Sequence, residues 1–264
     1  MAETGVTEVH HRIAVDGGEL DALAVLPDGE RATRWALLLH GGPGGVKDGP
    51  ADLYKELAGH LAAVGIASLR FDVRGAGEST GAYRDMTIAR QTEDLRAARA
   101  FLDGAYAPER VALIGESFGA TTVLAGLDGR ESALVLLWPA IWLLDEVFDS
   151  YVSEEKLALA REQGFIVEDG EEIGREFLSE LIELRDVAQG LNGLSTPLLL
   201  IHGDADSEVP VHQSQRAREL VAGPVRLVVV PGGEHCLERP EERVIVYREA
   251  TAWLEAHLKH CARS

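Results

Sequence analysis

Short apolar runs recur along the chain, and most are followed by a segment with helical periodicity. Residues 35–39, 111–114 and 133–138 are entirely apolar. A strand can be apolar on both faces only where helices cover both faces of its sheet. The alternation of such strands with helices predicts an α/β fold with a mostly parallel sheet. The eight predicted strands cover residues 9–15, 20–26, 35–39, 66–71, 111–114, 133–138, 197–201 and 225–230.

Two stretches depart from the strand-helix alternation. The first two strands lie on either side of Asp16, Gly17 and Gly18, which predicts an antiparallel hairpin at one edge of the sheet. Residues 141–195 separate two core strands and are much longer than a usual crossover. We therefore predict a core formed by residues 1–140 and 196–264, with an inserted cap at residues 141–195. Within this cap we expect a helix at 153–163, a hairpin at 165–170 and a helix at 175–185.

The sequence GESFG at residues 115–119 has the G-x-S-x-G pattern. The pattern alone is weak, because glycine and serine are common. Here it lies between the apolar strand at 111–114 and a predicted helix at 118–127, which is the context of a nucleophile elbow. That turn exposes the serine hydroxyl and directs the next backbone N–H toward the same cleft. The context therefore predicts Ser117 as a nucleophile and the N–H of Phe118 as its neighbour.

A serine hydroxyl becomes a good nucleophile only when a base accepts its proton. His235 is the best candidate, because it follows the last predicted strand and a loop at residues 231–234 that contains two glycines. The remaining histidines lie in the first hairpin, in predicted helices or at strand ends. Of these, His40 more plausibly braces its own loop.

The residue that orients the base is expected after the strand at 197–201. Asp204, Asp206 and Glu208 compete for this role. Asp204 could form a turn and Glu208 could face solvent, whereas Asp206 lies further along the loop and could reach His235. The resulting order, Ser117 then Asp206 then His235, is that of α/β-hydrolase triads.

Acyl transfer also requires donors for an oxyanion. The backbone N–H of Phe118 is one candidate, and the glycine-rich loop at residues 40–45 offers a second. Pro43 has no N–H, so Gly42 is the favoured donor. A phosphate-binding loop is the alternative, but this loop lacks the G-K-[ST] ending of a P-loop and the G-x-G-x-x-G dinucleotide pattern.

Taken together, these motifs resemble those of α/β-hydrolase serine hydrolases. The matching segments are HGGPG at 40–44, DVRGAGES at 72–79, GESFG at 115–119, IHGDADSEVP at 201–210 and GEH at 233–235. In that family the acid is the aspartate two residues before x-V-P, which again selects Asp206. The resemblance implies an eight-stranded α/β-hydrolase fold with a cap.

Within that superfamily the chain is most similar to the cinnamoyl/feruloyl-esterase-like, serine aminopeptidase-type branch. Members of that branch carry a cap of similar size, and GREFL at residues 174–178 resembles a segment of it. The residue at Gly42 is often bulky in that branch, which is a departure. The loop also resembles that of proline iminopeptidases, whose caps hold a substrate amine with acidic residues.

The resemblance and the motifs together predict cleavage of a small-molecule carboxylic ester through an acyl-enzyme, with no cofactor and no metal. Trp138, Trp142 and Phe148 are predicted to wall the acyl pocket, unless they serve only as packing between sheet and cap. An aminopeptidase or amidase, a thioesterase or lactonase, and a non-catalytic ligand-binding homologue stay open as alternatives.

Charge and composition restrict the partners. The formal net charge of −19 disfavours nucleic-acid binding, because such a surface repels phosphate. The apolar runs are too short to span a membrane, and the first residues lack a secretory pattern. The two cysteines form no disulfide framework, so we expect a cytoplasmic protein without membrane association. The sequence does not fix the oligomeric state, and a homodimer is one allowed assembly.

Overall fold

The structure, a computed structural model, describes residues 6–29, 31–168 and 170–259. Its strands are β1 (Val6–Val15), β2 (Gly18–Pro27), β3 (Arg34–Leu39), β4 (Ala67–Phe71), β5 (Arg110–Glu116), β6 (Ala133–Leu137), β7 (Phe165–Glu168), β8 (Glu171–Gly174), β9 (Leu198–Gly203) and β10 (Val225–Val230). Its helices are α1 (Leu53–Ala63), α2 (Ile88–Tyr106), α3 (Phe118–Gly126), α4 (Leu143–Glu146), α5 (Glu154–Gln163), α6 (Arg175–Leu184), α7 (His212–Leu220) and α8 (Pro240–His257). None of the helices in these ranges is both long enough and apolar enough to cross a membrane.

Within the described residues, eight strands form one sheet in the order β1-β2-β4-β3-β5-β6-β9-β10. The hairpin β1-β2 is antiparallel, and β2 also pairs antiparallel with β4. The pairs from β4 through to β10 are all parallel. The prediction of a mostly parallel α/β sheet with an antiparallel edge is therefore confirmed.

Apolar side chains pack on both faces of this sheet. In β3, Trp35, Leu37 and Leu39 contribute to one buried cluster, whereas Ala36 and Leu38 contribute to the other. Helices α2, α3 and α7 supply residues to the first cluster, and α1 and α8 supply residues to the second. This double coverage explains why the central strands are apolar at successive positions.

Residues 141–195 contain helices α4, α5 and α6 and the antiparallel hairpin β7-β8. Asp169, in the predicted turn of this hairpin, lies outside the described residues. The apolar side chains of the segment join the cluster on the α2-α3 face of the sheet. Glu180 of α6 also accepts hydrogen bonds from the N–H groups of Ile88 and Ala89 at the start of α2 (2.5 and 2.9 Å). The segment is thus docked on the same helix layer that carries Ser117.

Candidate active site

Ser117 lies in a sharp turn between strand β5 and helix α3. Its backbone angles, φ 51° and ψ −120°, are unusual for a residue with a side chain and indicate local strain. The flanking glycines permit this turn. A Cβ at Gly119 would collide with the carbonyl oxygen of Leu39, and a Cβ at Gly115 would lie 2.7 Å from the N atom of Ala120. The glycines therefore let α3 approach the ends of β3 and β5 closely.

His235 and Asp206 follow strands β10 and β9 and meet Ser117 at the carboxyl edge of the sheet. The Nδ1 atom of His235 lies 2.8 Å from Oδ2 of Asp206, and its Nε2 atom lies 3.2 Å from Oγ of Ser117. Because a carboxylate only accepts hydrogen bonds, the proton of the neutral imidazole belongs on Nδ1. The lone pair of Nε2 then faces the hydroxyl of Ser117.

Asp206 lies in a dense set of hydrogen-bond donors. Its Oδ1 atom accepts from the backbone N–H groups of Glu208 and Val209 at 2.9 and 2.8 Å. Burial favours the neutral acid, but the hydrogen bonds of His202, His235 and Val209 outweigh it and hold the pKa of Asp206 well below its ordinary value. Asp206 is consequently an anion wherever His235 titrates.

The imidazole of His235 responds to this anion. Burial alone would disfavour its protonation, but the hydrogen bond and charge of Asp206, with the charges of Glu208 and Glu116, raise the pKa of His235 above its ordinary value. Such a base accepts a proton readily. Its neutral form becomes abundant only at a correspondingly higher pH.

The other two acids that compete in the sequence occupy different positions. Asp204 accepts the N–H of Gly232 at 2.6 Å, as a turn residue does. Glu208 is largely exposed, and its Oε2 atom lies 3.6 Å from Nε2 of His235. Asp206 is therefore the carboxylate that faces Nδ1.

One of the two predicted oxyanion donors, Gly42, lines a cavity together with Ser117 and His235. Phe118 is the first residue of α3, where backbone N–H groups have no carbonyl partner within the helix. His40 braces the loop: its Nδ1 atom lies 2.7 Å from the carbonyl oxygen of Gly41, and its Nε2 atom accepts the N–H of Val73 at 3.1 Å.

The three predicted pocket aromatics occupy different positions. Phe148 lines the cavity, whereas Trp138 and Trp142 lie outside its lining. Trp138 follows the end of β6 and is fully buried on the α1-α8 face of the sheet. Its ring meets the ring of His235 edge to face, with centroids 6.2 Å apart. The guanidinium carbon of Arg216 lies over the ring of Trp142, 3.7 Å from the ring centre. Both tryptophans thus serve as packing.

Sequence reasoning missed an aromatic crevice that adjoins the cavity at Gly42. The residues lining it are Gly42, Pro43, Tyr83, Met86, Phe118, Phe148, Tyr151, Ile173 and Phe177. The rings of Phe118, Phe148 and Phe177 meet edge to face, with centroids 5.5 to 5.8 Å apart. The hydroxyl of Tyr83 is buried there without a hydrogen-bond partner among the described residues. The sequence signal for this crevice is the three-residue spacing of Phe148 and Tyr151, which is typical of side chains on one face of a helical turn.

Burial, followed by the nearby Tyr151 and Glu171, raises the pKa of the Tyr83 phenol, so this group does not serve as an acid or base near neutral pH. Its neutral O–H is instead available as a hydrogen-bond donor. In the part of the chain that the structure describes, no group of three or more His, Cys, Asp or Glu residues is arranged to hold a metal ion.

Comparison with known proteins identifies relatives over most of the chain. Residues 56–261 match the sequence model of the prolyl oligopeptidase family. Monoacylglycerol lipase of Mycolicibacterium smegmatis is 28% identical over 239 residues, covering 79% of this chain and 85% of the lipase. YfhR of Escherichia coli O157:H7, described as uncharacterized, is 28% identical over 182 residues, covering 68% of this chain and 56% of YfhR. The chain thus spans little more than half the length of YfhR.

The fold also matches solved structures. Est1E from Butyrivibrio proteoclasticus with ferulic acid bound superposes with a TM-score of 0.78 at 19% identity, covering 94% of this chain and 99% of Est1E. At that identity the likeness concerns the fold, and it agrees with the resemblance indicated by the motifs. The family match includes Ser117, Asp206 and His235. The chain therefore belongs to the prolyl oligopeptidase family and adopts the α/β-hydrolase fold.

Proposed function

We propose that this protein is a serine hydrolase that cleaves a small-molecule carboxylic ester through an acyl-enzyme intermediate. The observation that carries the proposal is the pair of contacts from His235, 3.2 Å to Oγ of Ser117 and 2.8 Å to Oδ2 of Asp206. The relative named monoacylglycerol lipase and the ferulic acid bound to Est1E support an ester as the substrate.

In this mechanism, Oγ of Ser117 attacks the ester carbonyl carbon while its proton passes to Nε2 of His235. The carbonyl electron pair moves to the oxygen, and the N–H groups of Phe118 and Gly42 stabilise the resulting oxyanion. Asp206 stabilises the imidazolium. When the oxyanion collapses, His235 donates its proton to the departing alkoxide, which leaves as an alcohol.

The second half repeats these steps with water as the nucleophile. His235 accepts a proton from the water, whose oxygen attacks the acyl carbon. Collapse of this second oxyanion releases the carboxylic acid and returns the proton to Ser117. Residues 141–195 act as the cap in this proposal, since Phe148 and Tyr151 of that segment border both the cavity and the aromatic crevice.

An aminopeptidase or amidase is the second candidate. The family description and the carboxylates of Glu146, Asp149 and Glu208 in the cavity lining favour it, because carboxylates bind an amine. However, Glu146 is already paired with His212 at 2.8 Å and with Arg216 at 2.7 Å. This pairing weakens its attraction for a substrate amine, so the ester remains the favoured class.

Rapid-mixing kinetics with nitrophenyl esters and with naphthylamides of proline and other amino acids separates these possibilities. We expect a burst of nitrophenolate that matches the concentration of enzyme, followed by slower turnover, and a lower kcat/KM for every naphthylamide. A higher kcat/KM for a naphthylamide would indicate a peptidase. Folded protein that turns over neither class would indicate a non-catalytic homologue.

A further inference from the structure

Glu116, the residue before Ser117, is a buried carboxyl group that the mechanism above does not use. Only 4% of its surface is exposed, although charged side chains are rarely buried without a reason. One carboxylate oxygen, Oε1, accepts the backbone N–H of Gly41, and the other, Oε2, accepts the indole N–H of Trp138 at 3.3 Å. The carboxylate thus joins the nucleophile turn to the glycine-rich loop.

The loop lies directly against this carboxylate. A Cβ at Gly41 would lie 2.8 Å from Oε2 of Glu116 and 3.0 Å from Cβ of Ser117, so only glycine permits the approach. Glu116 holds the N–H of Gly41, while His40 holds its carbonyl oxygen at 2.7 Å. The peptide bond between Gly41 and Gly42 is trans, so the N–H of Gly42 points opposite to the carbonyl oxygen of Gly41. The two contacts together therefore direct the N–H of Gly42 away from His40.

The charge of Glu116 also acts on His235. Among the described residues, the charged groups that act on His235 are Asp206, Glu208 and Glu116. The charged or titratable groups around Glu116 are His235, Arg243, the phenol of Tyr54 and the thiol of Cys236. Burial raises the pKa of Glu116, although the Gly41 hydrogen bond and the charges of His235 and Arg243 oppose this rise. Whenever Glu116 is ionised, its charge favours the imidazolium that forms as Ser117 loses its proton.

We propose that Glu116 is a positioning residue for the ester hydrolysis proposed above, orienting the Gly42 amide through Gly41 and favouring protonated His235 during attack. Neither effect requires contact between Glu116 and the substrate. The inference rests on the proposed function, so its test needs a readout that separates the two.

Glutamine is the closest replacement, but it satisfies only one of the two N–H groups that now point at the carboxylate. Its amide oxygen can accept from Gly41, and its amide nitrogen then faces the indole N–H of Trp138, donor against donor. The double variant Glu116→Gln with Trp138→Phe removes that conflict and leaves only the loss of charge. Trp138→Phe alone is the matched control, because it keeps the carboxylate and its contact with Gly41.

Folding of each variant is first checked by circular dichroism and urea unfolding. Relative to Trp138→Phe, we expect the double variant to lose about 10-fold in kcat for a nitrophenyl ester, with little change in KM, because the imidazolium that forms during attack loses a nearby negative charge. We also expect the acid limb of kcat/KM to shift to lower pH, since His235 loses a neighbouring negative charge. If the double variant does not fold, Glu116→Gln alone is measured for the same two changes.

The rate at which a fluorophosphonate labels the protein distinguishes the possible failures. Unchanged kcat, acid limb and labelling rate in a folded Glu116 variant would overturn the role of Glu116 while the proposed hydrolase remains intact. A wild-type protein that neither hydrolyses esters nor becomes labelled would overturn the proposed function, and the role of Glu116 with it.

Discussion

At the scale of single residues, the pKa of His235 connects the geometry to an observable rate. Asp206 contacts Nδ1 of the imidazole, Glu208 lies 3.6 Å from Nε2, and the buried Glu116 adds a further negative charge. All three carboxylates favour the protonated ring, which cannot act as the base toward Ser117. We therefore expect the acid limb of kcat/KM to lie above the ordinary pKa of an imidazole.

Glu208→Gln tests this electrostatic account. Removal of its charge should lower the pKa of His235, so that neutral base forms at lower pH and the acid limb shifts downward. The shift should be small and should shrink with added salt, because Glu208 is exposed. The measurement is kcat/KM against pH at low and high ionic strength. Glu219→Gln, an exposed change on α7, is the control and should leave the profile in place.

Two buried tyrosines provide a matched test of hydrogen bonding. The hydroxyl of Tyr54 donates to the carbonyl oxygen of Leu39 at 2.8 Å, whereas that of Tyr83 has no partner among the described residues. Tyr54→Phe should lower the free energy of unfolding by about 1 kcal/mol, because a buried acceptor loses its donor. Tyr83→Phe should leave that free energy unchanged or raise it. Urea unfolding measures the free energy of unfolding of both variants. Equal losses in the two variants would contradict the difference in hydrogen bonding between Tyr54 and Tyr83.

At the scale of elements, a carboxylate of α6 binds the first turn of α2. Glu180 accepts the N–H groups of Ile88 and Ala89, which as first-turn groups of α2 have no partner within the helix. Residues 141–195 therefore supply part of the N-terminal capping of α2. Thr87 supplies another part, accepting the N–H of Arg90 at 3.0 Å.

We expect Glu180→Ala to lower the free energy of unfolding by about 1 kcal/mol, as loss of a helix cap does. Because residues 141–195 would be held less firmly, amide hydrogen exchange in α6 and in β7-β8 should also become faster. Glu183→Ala, an exposed change on the same helix, should alter neither quantity. Equal behaviour of the two variants would indicate that the contact does not hold the segment.

Features that a recognisable motif marks could be predicted, including the order of Ser117, Asp206 and His235, whereas packing between distant segments that no motif marks could not. The strand-to-helix turn at Ser117 follows from glycines two residues to either side of it. The exclusion of Trp138 from the cavity depends on the end of β6, where its φ of 36° leaves the strand geometry. The aromatic crevice depends on how Phe148 and Phe177 pack against Phe118 of α3. No periodicity within one segment encodes that contact.

At the scale of the whole molecule, the negative charge should influence which esters reach the site. The chain has a formal net charge of −19, and Glu146, Asp149 and Glu208 border the cavity. The described lining of the cavity includes neither lysine nor arginine. Because repulsion between like charges extends over about 30 Å at an ionic strength of about 10 mM, an anionic ester should approach the site less often than a neutral one.

This repulsion predicts a salt effect that depends on the substrate. For an ester with a carboxylate in its alcohol part, kcat/KM should rise as ionic strength increases from about 10 mM to about 150 mM, since screening weakens the repulsion. For the neutral methyl ester of the same compound it should change little. A parallel response of the two substrates would show that the charge does not act on substrate entry.

Covalent labelling with a fluorophosphonate, located by peptide mass spectrometry, tests the proposed nucleophile most directly. We predict one phosphonyl group per chain, bound to Ser117, with Ser117→Ala folded but unlabelled and His235→Ala labelled much more slowly. Undiminished labelling of Ser117→Ala, or modification of a different residue in the wild-type protein, would contradict the account.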